Sequence, residues 1–99
     1  MNYYVYILYS KNIDRYYTGY TSDIDKRLEF HKSAESHKFT YRGGSWQEYL
    51  LLKCTSKSQA LEIEKHIKRM KSKVYIQNLK RYPEMQKKLL DRYAQSSPR

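Results

Sequence analysis

Apolar and aromatic positions along this chain fall into three short runs with strand character, then into stretches of helical period. Tyr3-Tyr4-Val5-Tyr6-Ile7-Leu8-Tyr9 is aromatic and β-branched and stops at Ser10-Lys11-Asn12, which predicts a strand. Tyr16 to Tyr20 predicts a second, and the short polar link from Ser10 to Arg15 predicts an antiparallel hairpin. A hairpin symmetric about Asn12-Ile13 sets position 6 opposite 19 and 8 opposite 17. Alternation then gathers Tyr4, Tyr6 and Leu8 on one face with Tyr17 and Gly19. Tyr6 and Tyr17 become diagonal neighbours within aromatic reach. Gly19 leaves room opposite Tyr6, as glycines do where a ligand or another backbone comes close.

Thr21-Ser22-Asp23 predicts a helix start, with Ser22 as N-cap, Asp23 and Asp25 in the first turn, and a run to about Lys32. Ser33 to Gly44 carries little hydrophobic pattern and reads as a basic loop. Trp46 to Lys53, apolar throughout Leu50-Leu51-Leu52, predicts a third strand covered on both faces. Thr55 or Ser56 caps the next helix, with Gln59 three residues after Ser56 as in a capping box. Ala60, Ile63, Ile67 and Met70 keep helical spacing until Lys71-Ser72-Lys73 interrupts it. A short helix from Val74 to Leu79 follows, then Pro83 opens a last helix, Glu84 to Tyr93. The fold class is therefore α+β: a small three-stranded antiparallel sheet flanked by helices. Residues 1–82 form one domain, 83–94 a C-terminal helix packed on it, and 95–99 a flexible tail.

Composition narrows the partner. The chain has 99 residues and a net charge of +10. Such an excess suits an anionic polymer, most simply nucleic acid, although basic charge also serves solubility. A membrane surface ranks third, because no basic helix shows a wide apolar face. The apolar stretches are far too short to span a bilayer. Cys54 is the one cysteine, which precludes an internal disulfide and points to a reducing cytoplasm. It sits in an apolar run and reads as core. Met-Asn-Tyr-Tyr shows neither the charged lead nor the apolar run of a secretory signal.

Candidate chemistry gathers around the hairpin and the helix after it. On that helix Ile24, Leu28 and His31 fall on one stripe, with Arg27 at its border. Arg27 and His31 are i and i+4 and face the same way. Taken singly, His31 is a packing histidine, Arg27 a solvated charge, and the tyrosines strand filling. Their order and spacing as a set carry the signal.

At these residues the chain resembles a GIY-YIG endonuclease domain over about residues 2 to 80. Tyr4-Val5-Tyr6 stands at the first triplet and Tyr17-Thr18-Gly19 at the second, with the usual gap of about ten residues. Tyr4 replaces the first triplet's glycine and Thr18 the second's isoleucine; both tyrosines are kept. The short form is similar to stand-alone bacterial members related to the catalytic domain of the excision-repair nuclease UvrC. The resemblance implies metal-dependent phosphodiester hydrolysis, with DNA as the expected substrate and a link to repair or recombination; because the chain has room only for one extra helix at 84–94, weak sequence selectivity is expected, with any preference set by DNA structure. It implies one Mg²⁺ or Mn²⁺ on Glu64, Arg27 on the phosphate, Tyr6 or Tyr17 orienting or deprotonating water, and His31 accepting a proton. Asn78 falls near the family's late asparagine. Helical spacing puts Glu64 on the edge of the apolar stripe, with Lys68 at i+4 as its ordinary partner. Lys38, Arg42, Lys65, Lys68, Arg69, Lys71 and Lys73 are candidate nucleic-acid contacts. With Lys80, Arg81, Phe39 and Tyr41 they also support a rival reading, a basic module that grips nucleic acid without cutting it.

Overall fold

β1 (Tyr3–Ser10) and β2 (Arg15–Thr21) form the antiparallel hairpin. Its register sets Tyr6 opposite Gly19 and Leu8 opposite Tyr17, as the symmetric turn predicts. In the computed structural model residues 2–26 and 46–94 are described. Asp14 closes the turn with φ 52, a left-handed conformation that Asp tolerates better than most residues. Its carboxylate accepts from the Tyr9 hydroxyl at 2.7 Å and from Lys73 Nζ at 2.8 Å. β3 (Gln47–Cys54) pairs with the other side of β1, giving a three-stranded sheet in the order β2-β1-β3.

A bulge breaks the β1–β3 ladder: Ile7 pairs with Leu50 but Leu8 with Glu48. Tyr49 is the extra residue, so Tyr49 and Leu50 both pack towards the helix-covered face. Tyr49 joins Tyr16 there with ring centroids 5.0 Å apart, and Tyr16 joins Tyr9 at 4.7 Å. Lys80 Nζ lies 4.6 Å from the Tyr49 ring centroid and donates to the Tyr49 carbonyl.

α1 (Lys57–Met70), α2 (Lys73–Arg81) and α3 (Pro83–Ala94) cover one face of the sheet. Val5, Ile7, Leu52 and Cys54 of the sheet meet Ala60, Ile63 and Ile67 of α1, Ile76 and Leu79 of α2, and Leu89 of α3. The capping box takes a shifted form. Ser56 accepts from the Gln59 N–H at 3.0 Å, while Gln59 Oε1 accepts from the N–H of Thr55 at 2.7 Å. Gln59 Nε2 also donates to the Leu90 carbonyl, tying α1 to α3.

Several boundaries differ from the sequence reading. β3 starts one residue later and runs on to Cys54. α2 extends beyond both predicted ends because Ser72 caps it, accepting from the Tyr75 N–H at 3.0 Å. Met70 keeps the helical period yet is 45% exposed, because α1 ends there with Lys71 in a left-handed C-cap. The Ser33–Gly44 loop and the 95–99 tail lie outside the described residues. No helix among the described residues is long and apolar enough to cross a membrane.

Burial pushes the Cys54 thiol up to about 11 from an ordinary 9.0. A raised folded-state value favours the thiol in the folded form, so this contribution is complete below pH 9 and is lost between about pH 9 and 11. Native protein at pH 8 is expected to resist iodoacetamide at Cys54, and urea-unfolded protein to react fully. Mass spectrometry reads both; rapid native alkylation would contradict the burial of this side chain.

Candidate functional site

The sheet face away from α1–α3 carries the paired tyrosines. Tyr6 is 2% exposed and is buried with Leu8 and Trp46; Tyr17, Ile24 and Leu51 pack around them. The Tyr6 and Tyr17 centroids are 6.3 Å apart with the rings tilted by 43°. Trp46 meets Tyr17 edge-on at 6.5 Å. These offset geometries stack better than face-to-face rings. The phenol of Tyr6 lies directly over Gly19: a Cβ there would stand 2.5 Å from its Oη and 2.7 Å from Cζ. The space opposite Tyr6 is thus filled by Tyr6 itself.

This nesting predicts the effect of Gly19→Ala. The ring is buried and cannot swing into solvent, so the added methyl forces sheet or side-chain displacement. A loss of about 1–3 kcal/mol is expected by urea denaturation. An unchanged midpoint would mean that the ring is not confined.

After β2 the chain turns into a helix at 24–26. Thr21 Oγ1 accepts from the Asp23 N–H at 3.0 Å, and Asp23 Oδ1 accepts from the Lys26 N–H at 3.2 Å. Asp23, not Ser22, is therefore the N-cap. Thr21 takes over the preceding hydrogen bond and shifts the start by one residue. Ile24 packs on the tyrosine face. Arg27, His31, Lys38 and Arg42, with Phe39 and Tyr41, lie outside the described residues.

Along β2 runs an open cleft of about 630 Å³, bounded opposite by the end of α1 and the start of α2. Tyr17 and Thr18 line one wall and Ile67 and Ile76 the other, with Arg15, Lys68, Lys71 and Lys73 around them. The clustering follows from the chain's path. Lys71 turns left-handed at φ 48 and Ser72 starts α2, so the two helix ends present their lysines to one space. Lys68 Nζ lies 3.0 Å from Glu64 Oε2, and Lys73 is held by Asp14 at 2.8 Å. Glu64 is only 16% exposed in its side chain, whereas Glu62 faces solvent.

Tyr6 meets Tyr17 by ring contact, Tyr17 and Lys68 both line the cleft, and Lys68 is ion-paired to Glu64; Tyr6 and Glu64 are not themselves among the cleft's lining residues. Asn78 is not among the cleft's lining residues; its carbonyl accepts from the Tyr82 N–H at 2.8 Å. Lys65 and Arg69 are exposed on α1 and are not among them either. Arg15 escaped the sequence reading. Its signal was the two-residue spacing from Tyr17, which places both on one strand face. Among the described residues no three His, Cys, Asp or Glu side chains are grouped as a metal site.

Three antiparallel strands with helices over one face define a small α+β domain, its paired tyrosines lying beside a basic cleft. A model described as the GIY-YIG catalytic domain matches residues 2–80, and the chain belongs to the GIY-YIG family. It is 39% identical over 74 residues to UPF0213 protein BH0048 of Halalkalibacterium halodurans, covering 72% of this chain and 78% of that protein. It is 34% identical over 67 residues to UPF0213 protein OB0043 of Oceanobacillus iheyensis, covering 68% and 77% respectively. The solution NMR structure of UPF0213 protein BH0048 from Bacillus halodurans superposes with a TM-score of 0.51 at 35% identity, covering 80% of this chain and 82% of that one. α3, which begins at Pro83, lies past the matched 2–80 span.

Proposed function

We propose that this protein is a metal-dependent endonuclease that hydrolyses DNA phosphodiester bonds. The observation that carries the reading is Tyr17: it stacks with buried Tyr6 and also lines the cleft where Arg15, Lys68, Lys71 and Lys73 converge. Four cations along one groove draw in a phosphate backbone. A phenol beside them is well placed to orient water. A free tyrosine titrates near 10, so proton abstraction by Tyr6 or Tyr17 relies on neighbouring positive charge. Arg27, next in sequence after the helical residues 24–26, would offer a planar fork to the phosphate, and His31 a proton acceptor.

Glu64 fits the role of a carboxylate ligand for one Mg²⁺ or Mn²⁺. Its side chain is largely buried, and among the described residues it is paired with the exposed end of a flexible lysine. Mg²⁺ is commonly held by one carboxylate, with waters and substrate oxygens completing the shell. When bound, such an ion supplies Lewis-acid charge to the phosphate. Backbone contacts and ring stacking read DNA structure rather than base sequence, which favours flaps, nicks and single strands and a role in repair or recombination in the cytoplasm.

The test is conversion of supercoiled plasmid to nicked circles with Mg²⁺ or Mn²⁺, against the same reaction with EDTA. The Glu64–Lys68 ion pair favours one alternative, since Glu64 is already satisfied by lysine. On that alternative the protein is a basic binding module. Salt-dependent DNA binding with no cleavage under either metal would establish the module and dismiss the nuclease.

A further inference from the structure

A second cavity, apart from the cleft, lies between α1, α2 and α3. It measures about 190 Å³ and is lined by His66, Tyr75, Met85, Lys88, Leu89 and Arg92. The His66 and Tyr75 rings stand 5.9 Å apart at 47°, and His66 meets Tyr93 edge-on at 5.8 Å. Its Nδ1 is hydrogen-bonded to the Tyr93 hydroxyl at 3.1 Å, which fixes the ring. Burial, with Arg92 and Arg69 nearby, pushes His66 below its usual value, so a neutral aromatic surface faces the cavity at neutral pH. Met85 and Leu89 supply an apolar floor. Lys88 and Arg92 are exposed, four apart on α3, and form a positive rim on one side. The Arg92 guanidinium sits 5.5 Å from the Tyr93 ring centroid.

We propose that this cavity binds a nucleotide, most usefully an unpaired one in a single strand, with its base against His66 and Tyr75 and its phosphate on Lys88 and Arg92. The tilted His66 and Tyr75 rings, beside apolar Met85 and Leu89, offer a base a ring face to stack on, without regard to sequence. A cationic rim selects an anionic ligand and repels a cationic one. A paired base cannot enter, because its faces are covered by its neighbours in the stack. The inference takes nucleic acid as the protein's partner from the reading above, and it assigns α3 a task that lies outside the matched 2–80 span.

NMR of the isotope-labelled full chain tests it directly. Thymidine 5′-monophosphate or a short oligothymidylate is expected to shift the Tyr75 and His66 ring signals and the Met85 methyl. Binding of the mononucleotide as tightly as the oligomer would make this a free-nucleotide site; tighter binding of the oligomer makes it a strand site. Tyr75→Leu is expected to weaken oligothymidylate binding about tenfold and leave duplex binding within about twofold. The rim variant Lys88→Gln/Arg92→Gln alters exposed groups and carries the same comparison if Tyr75→Leu does not fold. No shifts with either ligand, or equal losses on single-stranded and duplex DNA, would overturn the proposal. Plasmid cleavage does not enter this readout, so failure here and failure of the nuclease reading are separable.

Discussion

Glu64→Gln is expected to lower Mg²⁺-supported DNA cleavage by at least about a hundredfold while leaving the melting temperature nearly unchanged. The two halves have different causes. The substitution is nearly isosteric and removes one ion pair, whose lysine is 55% exposed. Pairs of that kind contribute about 0–1 kcal/mol. Folding therefore loses little. Among the described residues no second carboxylate is grouped with Glu64, so the amide removes the anionic anchor that these residues supply. Charge stabilisation by such an ion is worth several kcal/mol, and each ~1.4 kcal/mol is a decade in rate. Cleavage by the glutamine variant at the wild-type rate would reduce Glu64 to a partner for Lys68. Mn²⁺-induced broadening of signals near Glu64, present in wild type and absent in the variant, gives a readout independent of turnover.

Ile63→Ala is expected to destabilise the fold by about 2–5 kcal/mol, with Ile63→Val costing about 0.5–1.5 kcal/mol. Ile63 is fully buried on α1, in the cluster shared with β1, β3, α2 and α3. Neighbours from several elements cannot all move in at once, so the vacated volume persists as a cavity. A domain of this size holds only about 5–15 kcal/mol in total. Each kcal/mol shifts the melting temperature by roughly 4–8 °C, so the alanine variant should melt at least about 8 °C lower. A fall of two or three degrees would mean that the helices slide on the sheet to close the gap.

Local physics made much of this legible beforehand. Strand alternation and a symmetric turn fixed the partners of Tyr6 and Leu8, because register follows directly from turn length. The cap at Ser56 and the placement of Glu62 and Glu64 followed from helical period. What escaped was either a contest between adjacent polar residues or a product of tertiary closure. Thr21, Ser22 and Asp23 can all cap, and only the geometry leaving β2 selects Asp23. The bulge at Tyr49 leaves no mark in the sequence, since no glycine or proline stands in Gln47–Cys54 to announce it. The basic cleft joins Arg15 to lysines more than fifty residues away, a closeness no periodicity encodes. Met70 had the right spacing, but it is the last residue of its helix, before left-handed Lys71, and stays 45% exposed. Arg27 and His31 belong to the part of the chain outside the described residues.

The clasp between Lys73 and Asp14 bridges 59 residues of sequence and links the hairpin tip to the first turn of α2, on opposite banks of the groove. Both ends are solvent-facing, so dissolved ions weaken the clasp just as they loosen a polyanion from the groove. Rising ionic strength therefore acts twice: it competes for the phosphates and unfastens the jaws that hold them. Affinity should fall with salt more steeply than the number of phosphates gripped would require.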